Sequence, residues 1–313
     1  MRKPRLHAAF SVSSLNSKIN IHTNSARIKN YFQKDPFVEE SIAGYRFNKK
    51  PMPNAEYSLS YFDGKEKLSF QKKAIRLSAP INNLHFPDLV YLALFLLEKQ
   101  HGLDRKFTTH GAAFGKNENA GLLLGDSGNG KTTVLLNLYL RNYTFLSNDK
   151  TVIGSAESGP AIFAGTNYLS IRPSIYSGLN KETLDIIEPL IIGKTEKGKI
   201  ILDLKWTPDQ TNPPKISSIF FISLLDDSKT LIFNKLSKDM ASLLLARETS
   251  TYLRGASGVV ITLNRQFPSF DNMEISANRM NLIESIVSKA DIFVLRANLQ
   301  NIVRTIGEVF EAK

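Results

Sequence analysis

The sequence predicts an α/β protein with a small β-rich (α+β) N-terminal domain over residues 1–80 and a larger α/β domain over residues 81–313. Before residue 80, apolar residues alternate with polar ones, as they do in half-buried strands. After residue 105, short apolar runs alternate with longer segments of helical periodicity. Two of these helical segments, residues 282–290 and 298–311, close the chain. A length of 313 residues accommodates two domains of ordinary size.

The clearest strand pattern of the first domain lies between residues 57 and 70. Residues 57–61 alternate tyrosine or leucine with serine, and an apolar segment resumes at residues 68–70. Asp63-Gly64 lies between the two segments and is typical of a tight turn. We therefore predict that these segments form a β-hairpin.

The longest apolar run, residues 89–97, lies within a predicted helix that begins near Pro87 and ends at Gly102. Its leucines occupy more than one face of the helix, which indicates a buried helix. The run is far shorter than the ~18 residues of a membrane-spanning helix. Because the N-terminus also lacks the apolar segment of a signal peptide, we expect a cytoplasmic protein that does not associate with membranes.

Composition excludes several classes of protein. Hydrophobic residues make up 42% of the chain, which excludes a wholly disordered or fibrous protein. Cysteine is absent, so disulfides, thiolate metal sites and a cysteine nucleophile are excluded as well. The net charge of +11 favours anionic partners, among them nucleotides, RNA and acidic peptides. Self-association into a homo-oligomer is left open by the composition.

A glycine-rich loop joins a predicted buried strand, residues 120–124, to a predicted helix, residues 131–140. The loop fits the pattern G-x-x-x-x-G-K-[ST], in which backbone N–H groups and the helix N-terminus face phosphate oxygens. Lys131 can reach the β- and γ-phosphates, and the hydroxyl of Thr132 can ligate Mg²⁺. The cofactors predicted are therefore ATP and Mg²⁺. The predicted nucleotide-binding residues are Gly125, Asp126, Ser127, Gly128, Asn129, Gly130, Lys131, Thr132 and Thr133.

Two further segments flank this loop. His110-Gly111 precedes the strand that leads into it, and a later predicted strand, residues 143–147, ends in Asn148-Asp149. With these segments and spacings, residues 110–149 resemble the HPr kinase/phosphorylase family and its PEP-carboxykinase-like P-loop relatives. The smaller kinases of that group, some of which act in peptide modification, are the most similar in organisation.

The resemblance implies an ATP-dependent kinase that phosphorylates an alcohol group, in particular a serine of a peptide or small protein. It implies that Lys131 stabilises charge on the transferred phosphate and that Thr132 and Asp149 hold Mg²⁺. His110 could orient or deprotonate the acceptor, or contact a phosphate. Arg172 is implied to neutralise charge near the phosphates.

The sequence departs from the family at Asn148, where the family has an aspartate that acts as general base. An amide has no group that titrates at neutral pH. The base is therefore left open, with Asp149 either ligating the metal or taking the proton. We expect phosphoryl transfer to proceed without an efficient phosphate-driven reverse reaction.

Alternatives to this interpretation concern the metal ligand, the acceptor and the transfer activity itself. Asp226 follows a long apolar run, residues 219–225, and could replace Asp149 as the metal-binding aspartate. The positive charge also suits an RNA kinase, and a small-molecule kinase would use the same loop. Finally, Asn148 would suit a module that binds nucleotide without transferring phosphate.

Overall fold

The computed structural model describes residues 8–195, 198–204, 206, 209, 211–227, 229–254 and 259–312. These residues form a mixed α/β protein with several sheets and helices. By residue contacts the chain divides into two compact units. Unit 1 comprises Met1–Thr108 and Thr249–Arg279, and unit 2 comprises Thr109–Glu248 and Met280–Lys313. Each unit thus combines two separate parts of the chain.

From residue 8 to residue 103 the chain forms the sheet of unit 1 and the helices that pack with it, and a further short strand, residues 106–109, follows outside that sheet. In chain order the elements are β1 (Ala8–Ser14), β2 (Ser17–Thr23), α1 (Ala26–Lys34), α2 (Pro36–Ser41), β3 (Tyr45–Asn48), β4 (Tyr57–Asp63), β5 (Lys67–Gln71), β6 (Ala74–Ala79), α3 (Phe86–Leu103) and β7 (Lys106–Thr109). The sheet has the strand order β3-β1-β2-β4-β6-β5. Strand β2 pairs with β4 in parallel, and β4 pairs with β6 in parallel.

The remaining elements run from residue 112 to residue 311. They are β8 (Ala112–Lys116), β9 (Asn119–Leu124), α4 (Lys131–Tyr139), β10 (Thr144–Ser147), β11 (Thr151–Ala156), β12 (Gly159–Gly165), β13 (Tyr168–Ile171), α5 (Pro173–Tyr176), α6 (Lys181–Ile187), β14 (Ile191–Lys194), β15 (Ile200–Asp203), β16 (Lys215–Leu224), β17 (Leu231–Lys235), α7 (Lys238–Arg254), β18 (Val259–Val260), β19 (Arg265–Gln266), α8 (Met273–Lys289), β20 (Asp291–Ala297) and α9 (Leu299–Glu311). Among the described helices, none combines the length and the apolar composition that crossing a bilayer requires.

The hairpin predicted around Asp63-Gly64 is wrong, although both of its strands exist. Strand β6 lies between β4 and β5, pairing with β4 in parallel and with β5 in antiparallel register. Ile75 and Leu77 of β6 are fully buried, whereas in β5 only Leu68 is buried. Central placement of the more apolar strand buries more apolar surface than the predicted local hairpin would.

Helix α3 confirms the buried helix predicted between Pro87 and Gly102. Its residues Leu89, Leu92 and Leu96 are fully buried in the core of unit 1. A helix that is apolar nearly all round is stable only when other elements cover it, and α3 packs on β2, β4, α1 and α2. By contacts it therefore belongs with the N-terminal sheet, beyond the boundary predicted at residue 80. That residues 1–80 form a domain of their own stays a prediction.

Unit 2 is organised around a sheet with the strand order β10-β8-β9-β16-β12-β11. Strand β16 runs parallel to β9 and also parallel to β20, which pairs with its second half. The carboxyl ends of β9, β16 and β20 therefore lie at the same edge of the sheet. Helices α4 and α9 contact each other in the core of this unit. Helix α4 also packs on β8, and α9 also packs on β16.

The strands and helices predicted in this region are observed with small shifts of their ends. Helix α8 is the exception, because it begins at Met273, well before the predicted residue 282. The side chain of Asn272 accepts the N–H of Ile275 at 2.9 Å and so caps the extra turns. Asn298 caps α9 in the same way through the N–H of Asn301.

We expect the close packing of β12 against β10 to control the stability of unit 2. A Cβ added at Gly165 would lie 2.3 Å from Cβ of Ser147 and 2.5 Å from the carbonyl oxygen of Leu146. Gly165→Ala should therefore lower the free energy of unfolding by about 1–3 kcal/mol in urea denaturation. Gly193 of β14 has no atom within 4 Å of an added Cβ, so Gly193→Ala should change it by less than about 0.5 kcal/mol. Equal effects of the two substitutions would contradict this packing.

Candidate active site

The glycine-rich loop between β9 and α4 has a backbone that only glycine adopts readily. Gly125, Gly128 and Gly130 have φ angles of +140°, +92° and +87°. A Cβ at Gly125 would lie 2.7 Å from the carbonyl oxygen of Ile222, and a Cβ at Gly130 would lie 2.7 Å from Cβ of Leu224. The loop thus packs directly on the end of β16, and side chains at these two positions would push it away.

The same contact places the start of helix α4. The N–H of Leu224 donates to the carbonyl of Asn129 at 3.1 Å, which ties the loop to β16. Gly130 occupies the N-cap position of α4 and supplies no capping side chain. The N–H groups of the first helical turn, Lys131 to Thr133, have no partner within the helix and carry the positive end of its dipole. This end of α4 can therefore bind an anion, as the sequence predicts.

Lys131 is buried and points back along the loop. Its Nζ donates to the carbonyl oxygens of Gly125 at 2.6 Å and Asp126 at 3.1 Å. Burial lowers the pKa of Lys131, and the carboxylates of Asp149, Glu248 and Asp126 oppose that shift. The ammonium group therefore lies among loop carbonyls and nearby anions, where a phosphate could replace the two carbonyl acceptors.

His110 and Asp149 are brought together from separate segments of the chain. Nδ1 of His110 lies 3.3 Å from Oδ1 of Asp149, whose backbone has a φ of +70° just after β10. Burial is the largest cause that lowers the pKa of His110; Asp149 opposes it, and the charges of Lys131 and Lys150 add to it. At neutral pH the imidazole beside Asp149 is therefore neutral.

Asn148 occupies the position next to Thr132. The hydroxyl of Thr132 donates to Oδ1 of Asn148 at 3.3 Å, and Nδ2 of Asn148 donates to the carbonyl of Tyr168 at 3.1 Å. The backbone N–H of Asn148 donates to the carbonyl of Thr166, which ties this turn to the end of β12. The amide is buried and oriented by these partners, while the carboxylate of Asp149 turns to His110.

The oxygen atoms around Thr132 suit Mg²⁺ in kind and spacing. Two adjacent ligands of an octahedral Mg²⁺ lie about 3 Å apart, close to the 3.3 Å between Thr132 Oγ1 and Asn148 Oδ1. Within the described ranges, no group of three or more histidine, aspartate or glutamate side chains could hold a metal. A magnesium ion here would depend on Thr132, Asn148 or Asp149, and the phosphates of its nucleotide. That Thr132 and Asp149 share the metal stays a prediction.

Two charged residues of helix α7 reach this site and were not singled out from the sequence. Nη2 of Arg247 donates to Oδ1 of Asp126 at 3.1 Å and to Oε1 of Glu248 at 2.9 Å. The Glu248 side chain is only 7% exposed, and its charge acts on both Lys131 and His110. Nothing in the spacing of an Arg-Glu pair more than a hundred residues after the loop indicates this proximity.

Arg172 and Asp226 stand apart from these contacts. Arg172 is exposed at the N-terminus of the short helix α5, where its backbone carbonyl accepts the N–H groups of Ile175 and Tyr176. Asp226 is exposed just beyond β16. In the part of the chain that the structure describes, neither side chain forms an ion pair with the loop. Their predicted roles at the phosphates stay predictions.

Comparison with known proteins gives weak structural similarity and no match by sequence. No protein-family model matches the chain, and no curated protein matches it. Among solved structures, it is similar to the Hpr(Ser) kinase/phosphatase from Coxiella burnetii, with 12% sequence identity and a TM-score of 0.23. That match covers 56% of this chain and 88% of the other chain.

We expect Asp149 to hold the pKa of His110 above the value that burial alone would set. Asp149→Asn should lower the pKa of His110 further, because it removes the largest charge that favours the imidazolium form. The measurement is an NMR titration of the imidazole resonances, with His110 assigned through His110→Gln. Asp226→Asn serves as the control, since Asp226 is not among the charges that act on His110. An unchanged or raised pKa in Asp149→Asn would contradict the pairing.

Proposed function

We propose that the chain is an ATP-dependent kinase that transfers the γ-phosphate to a hydroxyl group, most simply a serine of a peptide or small protein. The observation that carries this proposal is one cluster: a glycine loop at a helix N-terminus, the buried Lys131 beside it, and the His110–Asp149 pair, whose carboxyl group acts on that lysine. A phosphate-binding loop next to an oriented base is what transfer to a hydroxyl requires.

Binding of the triphosphate follows from the loop. The N–H groups of the first turn of α4 and of the glycine loop donate to phosphate oxygens. Lys131 exchanges the carbonyls of Gly125 and Asp126 for phosphate oxygens, which are the stronger acceptors because they carry charge. Mg²⁺, bound with the nucleotide, would neutralise charge on the phosphates, and Thr132, Asn148 and Asp149 supply the oxygens that would hold it.

Deprotonation of the acceptor is assigned to His110. Asp149 lies at Nδ1, so the proton of the neutral imidazole is held there and the lone pair is at Nε2. Nε2 can take the proton of an acceptor hydroxyl as the oxygen attacks phosphorus in line. Both side chains are partly exposed, which leaves room for a substrate to reach them. Asn148 cannot take this role, because its amide does not titrate.

The acceptor is proposed from charge and from the family resemblance together. A net charge of +11 attracts an acidic peptide, and the resemblance favours serine as the phosphorylated residue. An RNA or small-molecule acceptor would use the same phosphate site. A specific observation supports a second candidate, a nucleotide-binding module without transfer: the buried side chain beside Thr132 is the uncharged Asn148.

Removal of the loop lysine should abolish most nucleotide binding. Lys131→Ala should weaken ATP affinity about 10- to 100-fold in calorimetry, because charge-assisted hydrogen bonds contribute about 1.5–3 kcal/mol. Lys116→Ala is the matched control, since Lys116 lies at the opposite end of the β8–β9 hairpin and pairs with Glu311. Unchanged ATP affinity in a folded Lys131→Ala protein would remove the basis of the proposed site.

The identity of the acceptor and the base are tested in one transfer assay. Labelled ATP is supplied with an acidic serine-peptide library, with an RNA pool, or alone, and we expect label in the peptides. His110→Ala should lower kcat about 10²- to 10⁴-fold with little change in ATP affinity. In the unaltered protein we expect kcat to rise with pH below pH 6.5, because the pKa of His110 is lowered from that value. His110→Ala should lack this rise.

Asp149→Asn should lower kcat as well, and it should shift the Mg²⁺ dependence if Asp149 also ligates the metal. Label in RNA would replace the peptide acceptor by a nucleic acid. ATP binding without transfer in any arm would favour the binding module. Near-normal turnover in Asp149→Asn would move the predicted metal contact to Asp226.

A further inference from the structure

Arg247 joins the glycine loop to a buried carboxylate. Its Nη2 donates to Oδ1 of Asp126 and to Oε1 of Glu248, and its Nε donates to the same Glu248 oxygen at 3.2 Å. The two partners differ in environment, because the Glu248 side chain is 7% exposed and the Asp126 side chain is 76% exposed. The guanidinium is therefore held firmly on the Glu248 side and weakly on the loop side.

The loop residue that this guanidinium contacts, Asp126, is also a contact of Lys131. Lys131 donates to the backbone carbonyl of Asp126, and Arg247 donates to the carboxylate of the same residue. Two cations thus converge on one loop residue from different elements. In a loop of this pattern the lysine reaches the β- and γ-phosphates. The second cation is thus anchored on the same loop residue as the lysine that this pattern directs to the outer phosphates.

We propose that Arg247 is a second phosphate-binding cation of this site, which exchanges the Asp126 carboxylate for the terminal phosphate of a bound nucleoside triphosphate. The proposal rests on the proposed nucleotide site and assigns it a residue outside the loop. A guanidinium presents paired N–H donors that match phosphate oxygens, and the side chain of Arg247 is 58% exposed, so a ligand can reach it. Glu248 acts as a positioning residue, since it holds the guanidinium without contacting the nucleotide.

The test compares the affinities of ATP and ADP, because only ATP has the terminal phosphate. Arg247→Gln removes the charge but keeps a donor for the buried Glu248, which limits the damage to the fold. We expect it to weaken ATP binding about tenfold while ADP affinity stays within about threefold, measured by calorimetry at constant Mg²⁺. Arg247→Lys keeps the positive charge but lacks the paired donors of a guanidinium. Its ATP affinity should therefore lie between those of the unaltered protein and Arg247→Gln.

Arg304→Ala is the matched control. Arg304 is 60% exposed on α9 and pairs with Glu308. Arg304→Ala therefore removes one exposed positive charge, as Arg247→Gln does, but away from the glycine loop. It should leave the ratio of ATP to ADP affinity unchanged. Denaturation midpoints of all variants are recorded to establish that each is folded.

The outcomes separate this proposal from the function on which it rests. If the unaltered protein prefers ATP and folded Arg247→Gln keeps that preference within twofold, Arg247 is not a phosphate ligand, while the nucleotide site stands. Arg247→Lys binding ATP no better than Arg247→Gln would also overturn the proposal, because positive charge would then not be the cause. Absence of ATP binding by the unaltered protein would overturn both this proposal and the proposed function.

Discussion

Strands β9 and β16 run in parallel, and the loop that leaves β9 lies directly on the last residues of β16. The contact has no room for a Cβ at Gly125 or Gly130, since either atom would fall within 2.7 Å of β16. A hydrogen bond from the N–H of Leu224 to the carbonyl of Asn129 also holds the loop against the end of β16. The start of α4, the direction of Lys131 and the position of Thr132 all follow from this one close approach. A shift in the pairing of the two strands would displace each of them.

Charged side chains of both signs lie close together around that loop. Lys131 is surrounded by the carboxylates of Asp126, Asp149 and Glu248, which counteract the cost of burying its ammonium group. Asp149 and Glu248 also act on His110, yet burial prevails there and lowers its pKa. The same carboxylates therefore favour a charged lysine and leave a neutral imidazole. A phosphate binder and a base need these two different states side by side.

Asn148 gives this site its particular character. Its buried amide accepts a hydrogen bond from the hydroxyl of Thr132 and donates one to the carbonyl of Tyr168. The side chain therefore links the start of α4 to β13. A carboxylate at the same position would face the Tyr168 carbonyl without a proton to donate, at a cost of about 1–3 kcal/mol for an unsatisfied buried group. The negative charge of this turn therefore comes from Asp149 alone, and its backbone, with φ at +70°, directs it to His110.

The sequence by itself determined the α/β class, the buried helix α3, and the order of strand, glycine loop and helix around Lys131. These features depend on local periodicity and on residues adjacent in the chain, such as the glycines that permit positive φ. Only the tertiary structure decided that β6 lies between β4 and β5, that Asn148 meets Thr132, and that Arg247 and Glu248 reach Asp126. Each of these depends on which distant segments pack together, because strand order and the approach of α7 are set by burial of surface across the whole fold. A charge pair on a helix looks the same in sequence whether it faces solvent or a glycine loop.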